Sequence, residues 1–414
     1  MDNMKNKKNR FIPINRPDFN SKDIEIYHKY KYGQYEEYSK IDELEKVFID
    51  YLGGEYNVVF TSSAKMSLYL LLKFLNMKGR IVSTPLTCFA ALSPIIANGL
   101  SIHYADINTE NFNLVSTFTR DLQTDDIGAI IYNYFGGSPF DIFEGIDYAK
   151  RNNITIIEDC AQSIGAEINS RPLGSFGDHS FFSFTKHFSL VGGGLLASKN
   201  KSLIEKIRVF QNKLPSVPMS LLDYRLKRDF IEKRLGDEAF DKSYSDNFLF
   251  KQKEYDEIEP STVFSGTSVL CKPTDLQAAV ILNQFYRLPE LIGRRRKNAE
   301  LLTNGLASIE GINTQKVFGN SAYAKYYIKV NCYNNELIIF LNKNGIDAKQ
   351  LTKSHGFYMQ LSVDKTKYYY DTSIKECNNY MYLFNHILEL PLSSNMDNNE
   401  INYIIEHLKY FFNE

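Results

Sequence analysis

Short, continuously apolar runs alternate with helical patterns along the first part of this chain, and that alternation constrains its fold most strongly. The predicted strands span 57–61, 80–84, 101–105, 127–132 and 154–158. The predicted helices span 64–75, 94–98 and 142–152. Apolar strands that alternate with helices are typical of a mainly parallel sheet covered on both faces, with ligands beyond the carboxyl ends of the strands. The pattern therefore predicts a three-layer α/β fold.

The rest of the chain predicts a second, smaller unit. The spacing of its apolar residues predicts one long helix over 276–306, and Pro289 is expected to kink it. A strand and two further helices are predicted at 326–331, 335–344 and 399–412. We expect a large domain over 12–265 and a small α+β domain over 266–414 that begins with the long helix.

Residues 201–260 are rich in charge and lack a clear β run. We expect surface helices with a solvated face here, and a lid or an oligomer contact is the alternative. The stretch is a divergent insert in the large domain and the place where we expect substrate-specific contacts. A second substrate determinant is expected around Ser354 and His355.

Composition excludes several classes of protein. The chain has 414 residues and a net charge of −1, without the basic excess of a general nucleic-acid binder. Its five cysteines are scattered, which indicates reduced thiols, and its histidines form no metal-binding spacing. The basic N-terminal segment lacks the apolar run of a signal peptide, and no apolar run is long enough to span a membrane. We expect a cytoplasmic protein that binds neither membranes nor nucleic acid.

A strand-to-helix junction at 58–68, VVFTSSAKMSL, is the first of three segments that carry chemistry. The strand runs into Ser62 and Ser63, and a helix follows at once. Serine at a helix N-cap satisfies backbone N–H groups, and the same helix end attracts a phosphate. Because most N-cap serines are only caps, this junction alone defines no site.

The second segment covers 154–167, ITIIEDCAQSIGAE. Its apolar strand delivers Asp159 at the carboxyl end, and the small Ala161 and the amide of Gln162 follow. Taken alone, an aspartate in this position is more often a cap or turn residue than a catalyst.

The third segment covers 180–197, SFFSFTKHFSLVGGGLLA. A Phe-rich strand ends at Ser183, and Lys186, His187 and three glycines at 192–194 follow. Such a lysine is usually a surface residue, but the glycines allow close backbone approach, and a lysine held there could form a Schiff base with a carbonyl. We expect His187 to be a packing or loop residue.

Together the three segments supply a phosphate cradle, a carboxylate and an amine, which is the set that pyridoxal 5′-phosphate (PLP) requires. This cofactor withdraws electrons best while its ring nitrogen is protonated, so a carboxylate must stay beside it. The sequence therefore predicts a PLP enzyme.

The chain resembles the DegT/DnrJ/EryC1/StrS family of PLP-dependent sugar aminotransferases, which have the aspartate-aminotransferase type of fold. Residues 157–167, IEDCAQSIGAE, are close to the family's IEDAAQxxGAE, and 133–153 resemble its HxYGxPxDMDxIxxIAKxH stretch. The other similar stretches are 11–19, 276–300, 343–346 and 388–392. The resemblance covers almost the whole chain.

That resemblance implies roles for individual residues. Lys186 would be the Schiff-base lysine and proton shuttle, and Asp159 would pair with the pyridinium nitrogen. Gln162 would hydrogen-bond the ring hydroxyl, and Ala161 would pack on one ring face. The residues that would hold the phosphate are Ser183 and, through their backbone, Ser63, Ala64 and Lys65.

This chain departs from the family pattern mainly where the phosphate is held. Lys65 stands where the family usually has Thr, and we expect its side chain to point to solvent, with pairing to the phosphate as the alternative. Leu270 aligns with an Asn that in the family often reaches the phosphate of the partner subunit, so that contact is lost or replaced. Ser268 and Lys272 are nearby polar candidates.

Two further departures concern the residue that covers one face of the cofactor ring and the assignment of Ser183. The position that often carries a ring-stacking aromatic aligns with Cys88, so either Cys88 or Phe89 must cover the ring in a chain that has no Trp. The segment from Ser183 to Lys186 is also shorter than the family's SFxxxK, which weakens the assignment of Ser183.

The resemblance implies transfer of an amino group, usually from glutamate, to a keto-sugar on a nucleoside diphosphate, for surface polysaccharides or glycoconjugates. It also implies a homodimer with a shared active site. Two alternatives stay open: a PLP-dependent sugar dehydratase, in which His typically replaces the lysine, and a non-catalytic homologue that binds a sugar nucleotide. Lys186 disfavours the first, although His187 adjoins it, and the trio of Lys186, Asp159 and Gln162 disfavours the second.

Overall fold

A seven-stranded sheet lies at the centre of the computed structural model, which describes residues 11–34, 38–115, 118–119, 126–237, 270–350 and 376–413. The first nine strands in chain order are β1 (Asn57–Thr61), β2 (Arg80–Ser83), β3 (Ile102–Tyr104), β4 (Ile127–Asn133), β5 (Thr155–Cys160), β6 (Glu167–Ile168), β7 (Arg171–Pro172), β8 (His179–Ser183) and β9 (Gly194–Ser198). Strands β6 and β7 form a separate hairpin, and the other seven follow the order β1-β9-β8-β5-β4-β2-β3. Strand β9 runs antiparallel to both of its neighbours, whereas the other strands of this sheet are parallel to one another.

Helices cover both faces of this sheet. They are α1 (Ser21–Lys31), α2 (Lys40–Tyr51), α3 (Ala64–Leu75), α4 (Phe89–Ala97), α5 (Phe143–Arg151), α6 (Lys201–Gln211), α7 (Met219–Asp237) and α8 (Asp275–Phe285). Neighbouring strand residues enter different cores: Val58 and Phe60 pack in one core, and Val59 packs in the other. Because successive strand side chains point to opposite faces, each face has its own apolar layer. The predicted three-layer fold with a mainly parallel sheet is confirmed.

Phenylalanine rings supply much of the packing under β8. Phe48 of α2 makes edge contacts with Phe182 and Phe184 at centroid distances of 5.5 and 5.4 Å, and it contacts Phe285 of α8 at 4.9 Å. Such aromatic pairs add about 0.5–1.5 kcal/mol each beyond their buried area. They anchor the end of the strand that precedes Lys186.

The smaller unit is built on a four-stranded antiparallel sheet. Its strands β10 (Ile312–Thr314), β11 (Tyr326–Val330), β12 (Lys349–Gln350) and β13 (Ile387–Leu390) follow the order β10-β11-β13-β12. Its helices are α9 (Leu288–Leu306), α10 (Asn334–Lys343), α11 (Asn378–Phe384) and α12 (Asn398–Asn413). A third core joins the sheet to α9, α10 and α12, and Ile12 near the other end of the chain packs into it.

The prediction of one long helix over 276–306 is wrong, because the structure has two helices there. Helix α8 ends at Phe285, and α9 begins at Leu288 with Pro289 in its first turn. Proline has no N–H to donate to the carbonyl of Phe285, four residues earlier, and it fits the first turn of a new helix. The helix predicted at 94–98 also begins earlier, at Phe89.

The predicted insert contains the helices α6 and α7, as expected, whereas 238–269 lie outside the described residues. Helix α8 packs into the core of the large sheet through Leu276 and Ile281. The proposed division into domains near residue 266 stays a prediction. No helix in the described part of the chain is long and apolar enough to cross a membrane.

Candidate active site

A cavity of about 400 Å³ opens at the carboxyl ends of the parallel strands. All three predicted segments reach it, together with the ends of β2 and β4. The predicted residues that line it are Ser63, Ala64, Lys65, Cys88, Asp159, Ala161, Gln162, Ser183 and Lys186. The fold therefore places side chains from positions 63 to 186 around one space.

The amino end of α3 forms one wall of the cavity. Ser63 is its N-cap, and the Ser63 Oγ accepts a hydrogen bond from the Met66 N–H at 3.2 Å. Gly194 lies so close to this turn that an added Cβ would collide with the backbone of Ser63 and Ala64. The glycine lets β9 and the start of α3 approach each other, and the first residues of this positive helix end line the cavity.

Lys65 lies in the first turn of α3 and is half-buried at the cavity wall. Burial lowers the pKa of its ammonium. The side chain is thus partly shielded from solvent, and the choice between the two orientations stays a prediction. Its position favours the alternative, a charge held near the phosphate end of the site.

Asp159 lies near the end of β5 and is 8% exposed. Its carboxylate accepts hydrogen bonds from Asn133 Nδ2 at 2.7 Å and from the Ala161 N–H at 3.0 Å. Burial raises the pKa of Asp159 to about 6, while these two hydrogen bonds and the charge of Lys186 act to lower it. The carboxylate is thus charged at neutral pH and lacks much of the hydration it would have in water.

Gln162 follows the turn after β5, and its Oε1 accepts a hydrogen bond from the Gly136 N–H at 3.0 Å. Gly136 adopts φ 73°, a backbone conformation that glycine takes without strain. This contact fixes the amide at the cavity wall between β4 and β5.

Lys186 ends a 3₁₀ turn, Phe184–Lys186, directly after β8. The Phe184 ring is fully buried, whereas the Lys186 side chain is exposed and lines the cavity. Ser183 Oγ and Thr185 Oγ1 are hydrogen-bonded at 2.9 Å, and both residues line the same cavity. The short spacing that weakened the assignment of Ser183 therefore still brings Ser183 and Lys186 into one wall.

The loop after Lys186, residues 188–193, is buried, so its backbone polar groups need partners inside the protein. Helices α7 and α8 supply several of them. The pairs are Gln284 Oε1 with Ser189 N (2.8 Å), Asp229 Oδ2 with Leu190 N (2.6 Å) and Arg225 Nη1 with Val191 O (2.6 Å). These contacts fix the loop that adjoins the lysine.

His187 lies outside the cavity lining, in agreement with its expected packing role. It is 4% exposed, and its Nε2 accepts a hydrogen bond from the Ile164 N–H at 3.3 Å. Its Nδ1 lies 3.3 Å from Arg295 Nη1. Burial and the neighbouring Arg295 hold the pKa of His187 well below its usual range.

The two candidates for the ring cover lie at the start of α4. Cys88 is the N-cap of this helix, its Sγ accepts a hydrogen bond from the Ala90 N–H at 3.3 Å, and it lines the cavity. Phe89 is the first helical residue, and its side chain lies outside what the structure describes. The choice between them stays a prediction.

The expected cross-subunit contact lies in a region that the structure describes in part. Leu270 is 40% exposed, and Lys272 exchanges backbone hydrogen bonds with the 215–217 segment. Lys272 is absent from the described lining of the cavity. Ser268, Ser354 and His355 lie outside the described residues.

Sequence reasoning missed Asn133 and Arg225. Asn133 is the last residue of β4, and polar residues at the ends of parallel strands are the available signal for it. Arg225 lies in α7, and a charge-rich helix gives no local sign of which arginine faces a cavity. Asn133 contacts Asp159, which is 26 residues away in the sequence, and Arg225 contacts Val191, which is 34 residues away.

The fold defined by this sheet and its smaller unit is that of the PLP-dependent aminotransferases. The structure is similar to that of GDP-4-keto-6-deoxy-D-mannose-3-dehydratase from Escherichia coli, solved with bound hydrated PLP. The TM-score is 0.76 at 18% identity, over 96% of this chain and 99% of that one.

Residues 21–218 and 248–409 match the DegT/DnrJ/EryC1/StrS aminotransferase family, and the chain belongs to this family. Membership confirms the predicted family, the activity class of aminotransfer, and PLP as the cofactor. The matched stretches leave out residues 219–247, which include all of α7.

Two curated relatives illustrate the range of the family. The spore coat polysaccharide biosynthesis protein SpsC of Bacillus subtilis (strain 168) is 24% identical over 420 residues, which cover 98% of each chain. The UDP-4-amino-4,6-dideoxy-N-acetyl-beta-L-altrosamine transaminase of Campylobacter jejuni (strain 81-176) is 33% identical over 180 residues. That match covers 42% of this chain and 47% of the relative.

Proposed function

We propose that this protein transfers an amino group from glutamate to a keto-sugar attached to a nucleoside diphosphate, and that the product serves surface polysaccharide or glycoconjugate biosynthesis. One observation carries the proposal: the Lys186 amine and the Asp159 carboxylate face one cavity at the ends of β8 and β5. The transaminase and SpsC relatives support the substrate class. Glutamate is proposed from the family resemblance.

The donors around the cavity fit PLP. A carboxylate, Asp159, is available for a protonated ring nitrogen, and the amide of Gln162 is available for the ring hydroxyl. Hydroxyls of Ser183 and Thr185 and the start of α3 suit a phosphate, and all of them line the cavity. We propose that these groups hold the cofactor, with Ala161 against one face of its ring.

When bound, PLP supplies an electrophilic carbon and a ring that draws electrons from the neighbouring α-carbon. The chain's residues supply the rest. The amine of Lys186 would hold the cofactor through that carbon at rest and, once the amino donor has displaced it, would take the donor's α-proton and later return it. Asp159 keeps the ring nitrogen protonated, and Asn133 and the Ala161 N–H orient its carboxylate.

The dehydratase alternative is disfavoured by the position of His187. A dehydratase of this family typically uses His where this chain has Lys186. His187 cannot take that role in the observed fold, because its ring is buried beside Arg295 and the Ile164 N–H, away from the cavity. The non-catalytic alternative is disfavoured because the fold brings Lys186, Asp159 and Gln162 together.

Glutamate titration of the PLP-loaded protein tests this function. Aminotransfer predicts that excess glutamate removes the visible band of the lysine adduct, and that a nucleotide-linked keto-sugar restores it. A panel of such sugars that differ in nucleotide and in carbonyl position would identify the acceptor. Failure of every amino donor to change the band would contradict the proposal.

We also propose a homodimer whose partner subunit completes the cavity, and a cytoplasmic location. All five cysteines are free thiols, as expected in a reducing compartment. Sedimentation velocity tests the dimer. Complementation tests the shared site: inactive Lys186→Ala chains are mixed with chains that lack a residue contributed to the partner's site. If the sites are shared, the mixture should regain part of the activity. Complete inactivity of the mixture would contradict sharing.

A further inference from the structure

Helix α7 forms part of the cavity wall although it falls between the two stretches that match the family. Its Leu221 and Arg225 lie one helical turn apart and both line the cavity. The expectation that this stretch presents surface helices is therefore incomplete, because one face of α7 belongs to the site. This part of the wall is formed by residues outside the two matched stretches.

Arg225 donates a hydrogen bond to the loop after Lys186 and lies beside a glycine of that loop. Its Nη1 donates to the Val191 carbonyl oxygen at 2.6 Å. A Cβ at residue 192 would collide with this same nitrogen and with the Thr185 side chain, so Gly192 leaves the room that the guanidinium occupies. Residue 192 has φ 63°, a conformation that glycine adopts readily. The loop after Lys186 thus leaves room for the guanidinium of Arg225.

These contacts locate Arg225 at the end of the cavity that suits a phosphate. The Thr185 Cγ2 and the Arg225 Nη1 both lie within 3.0 Å of the place that a Cβ at residue 192 would take, and the Thr185 hydroxyl is 2.9 Å from the hydroxyl of Ser183. Two residues beyond Gly192 the backbone meets the first turn of α3 at Gly194. The carboxylate of Asp159 lies at the end of β5, a different part of the wall. A phosphate in this region would meet hydroxyls, a helix end and an arginine.

We propose that Arg225 binds the phosphate of PLP. A guanidinium has five N–H donors, and the Val191 carbonyl oxygen takes a bond from Nη1. Charge-assisted bonds from arginine to phosphate are about twice as strong as neutral ones. In the family, an Asn of the partner subunit often contacts this phosphate, and Leu270 stands at its position here. Arg225 would replace that contact with a charged one from the same chain. The inference rests on the proposed cofactor orientation, with the phosphate near Ser183 and α3.

The test compares two ligands that differ only in the phosphate. PLP and pyridoxal are titrated into the cofactor-free protein, and the visible adduct band gives each dissociation constant. Arg225→Gln should raise the constant for PLP by about tenfold or more, the usual value of a hydrogen bond to a charged group. The constant for pyridoxal should stay within about twofold of wild type. Arg225→Lys should recover part of the affinity for PLP.

Lys227→Gln is the matched control, because it removes one positive charge from an exposed position of the same helix. Its PLP affinity should equal that of wild type. An unchanged constant for PLP in Arg225→Gln would overturn the inference, and so would equal losses for PLP and pyridoxal. A raised KM for the sugar nucleotide in Arg225→Gln, with normal PLP binding, would also overturn it. The arginine would then bind the phosphates of the substrate. Wild-type protein that forms no adduct with PLP would overturn the proposed function as well.

Discussion

Asn133 donates a 2.7 Å hydrogen bond from Nδ2 to Oδ2 of Asp159, and this contact joins the ends of β4 and β5. Ser83 Oγ donates to Asn133 Oδ1 at 3.1 Å, which fixes the direction of the amide. Because the oxygen of the amide faces Ser83, its N–H groups face the carboxylate. Asn133 therefore stabilises the charged form of Asp159 in a site where burial favours the neutral form.

Removal of that donor should shift the pH dependence of PLP binding. Protonation of Asp159 as the pH falls through about 6 removes its attraction for a protonated ring nitrogen, so PLP affinity should fall on the acid side. Asn133→Ala should raise this pKa by about one unit or more, since a hydrogen bond to a charged group is worth about 1.5–3 kcal/mol.

The measurement is the PLP dissociation constant between pH 5 and 8. Ser83→Ala is the graded control, because it leaves Asn133 in place but frees its orientation, and its shift should be smaller. If the PLP affinity of Asn133→Ala falls over the same acidic pH range as that of wild type, the amide does not stabilise the charged carboxylate.

Replacement of Asp159 itself should separate cofactor binding from turnover. Asp159→Asn is expected to keep the covalent bond between PLP and Lys186, because the amine and the phosphate contacts remain. Turnover should fall by about a hundredfold or more, the usual effect of removing one well-placed electrostatic group. Absorbance and steady-state rates measure the two effects, and near-wild-type rates would refute the assigned role.

Gly194→Ala should damage the phosphate end of the site. The new Cβ would collide with the backbone of Ser63 and Ala64, and strain of this kind costs about 1–3 kcal/mol. We expect weaker PLP binding and a lower melting temperature. Gly293→Ala in α9 is the control, because its Cβ would meet no atom within 4 Å, and it should stabilise the protein by about 0.5–1 kcal/mol. Normal PLP affinity in Gly194→Ala would argue against a role for this helix end.

Glu158, the neighbour of Asp159, has a structural role that can be tested by unfolding. Its buried carboxylate accepts four hydrogen bonds of 2.6–2.8 Å, and their donors are the Tyr134 hydroxyl and the N–H groups of Gly174, Phe176 and Gly177. Glu158→Gln should lower the free energy of unfolding by about 3 kcal/mol, because the new amide faces donors. Urea denaturation measures this loss, with Glu144→Gln at an exposed position of α5 as the control.

The sequence predicted the large sheet and the main site residues because both follow from local patterns. Asp159 and Lys186 each come directly after an apolar strand, and parallel strands end at one edge. The two helices at 275–306 were predicted as one because the apolar spacing continues across Phe285, although Pro289 removes the hydrogen bond there. The spacing of apolar residues predicts a helix correctly when every residue within it can donate its backbone hydrogen bond.

The remaining parts of the site depend on contacts between distant positions. Asn133 acquires its role only when β4 pairs with β5, and Arg225 only when α7 packs against the loop after Lys186. The position of Lys65 in the first turn of α3 likewise does not reveal that neighbouring elements partly bury it. A single sequence holds no local signal for such packing.

The central claim is that Lys186 bonds covalently to PLP, and borohydride reduction tests it most directly. Purified wild-type protein mixed with PLP should show a visible absorption band that borohydride bleaches, and peptide mass spectrometry should then find the reduced pyridoxyl group on Lys186. Lys186→Ala should show neither the band nor the modified peptide. A colourless wild-type protein that PLP cannot reconstitute, or a modification at another lysine, would contradict the account.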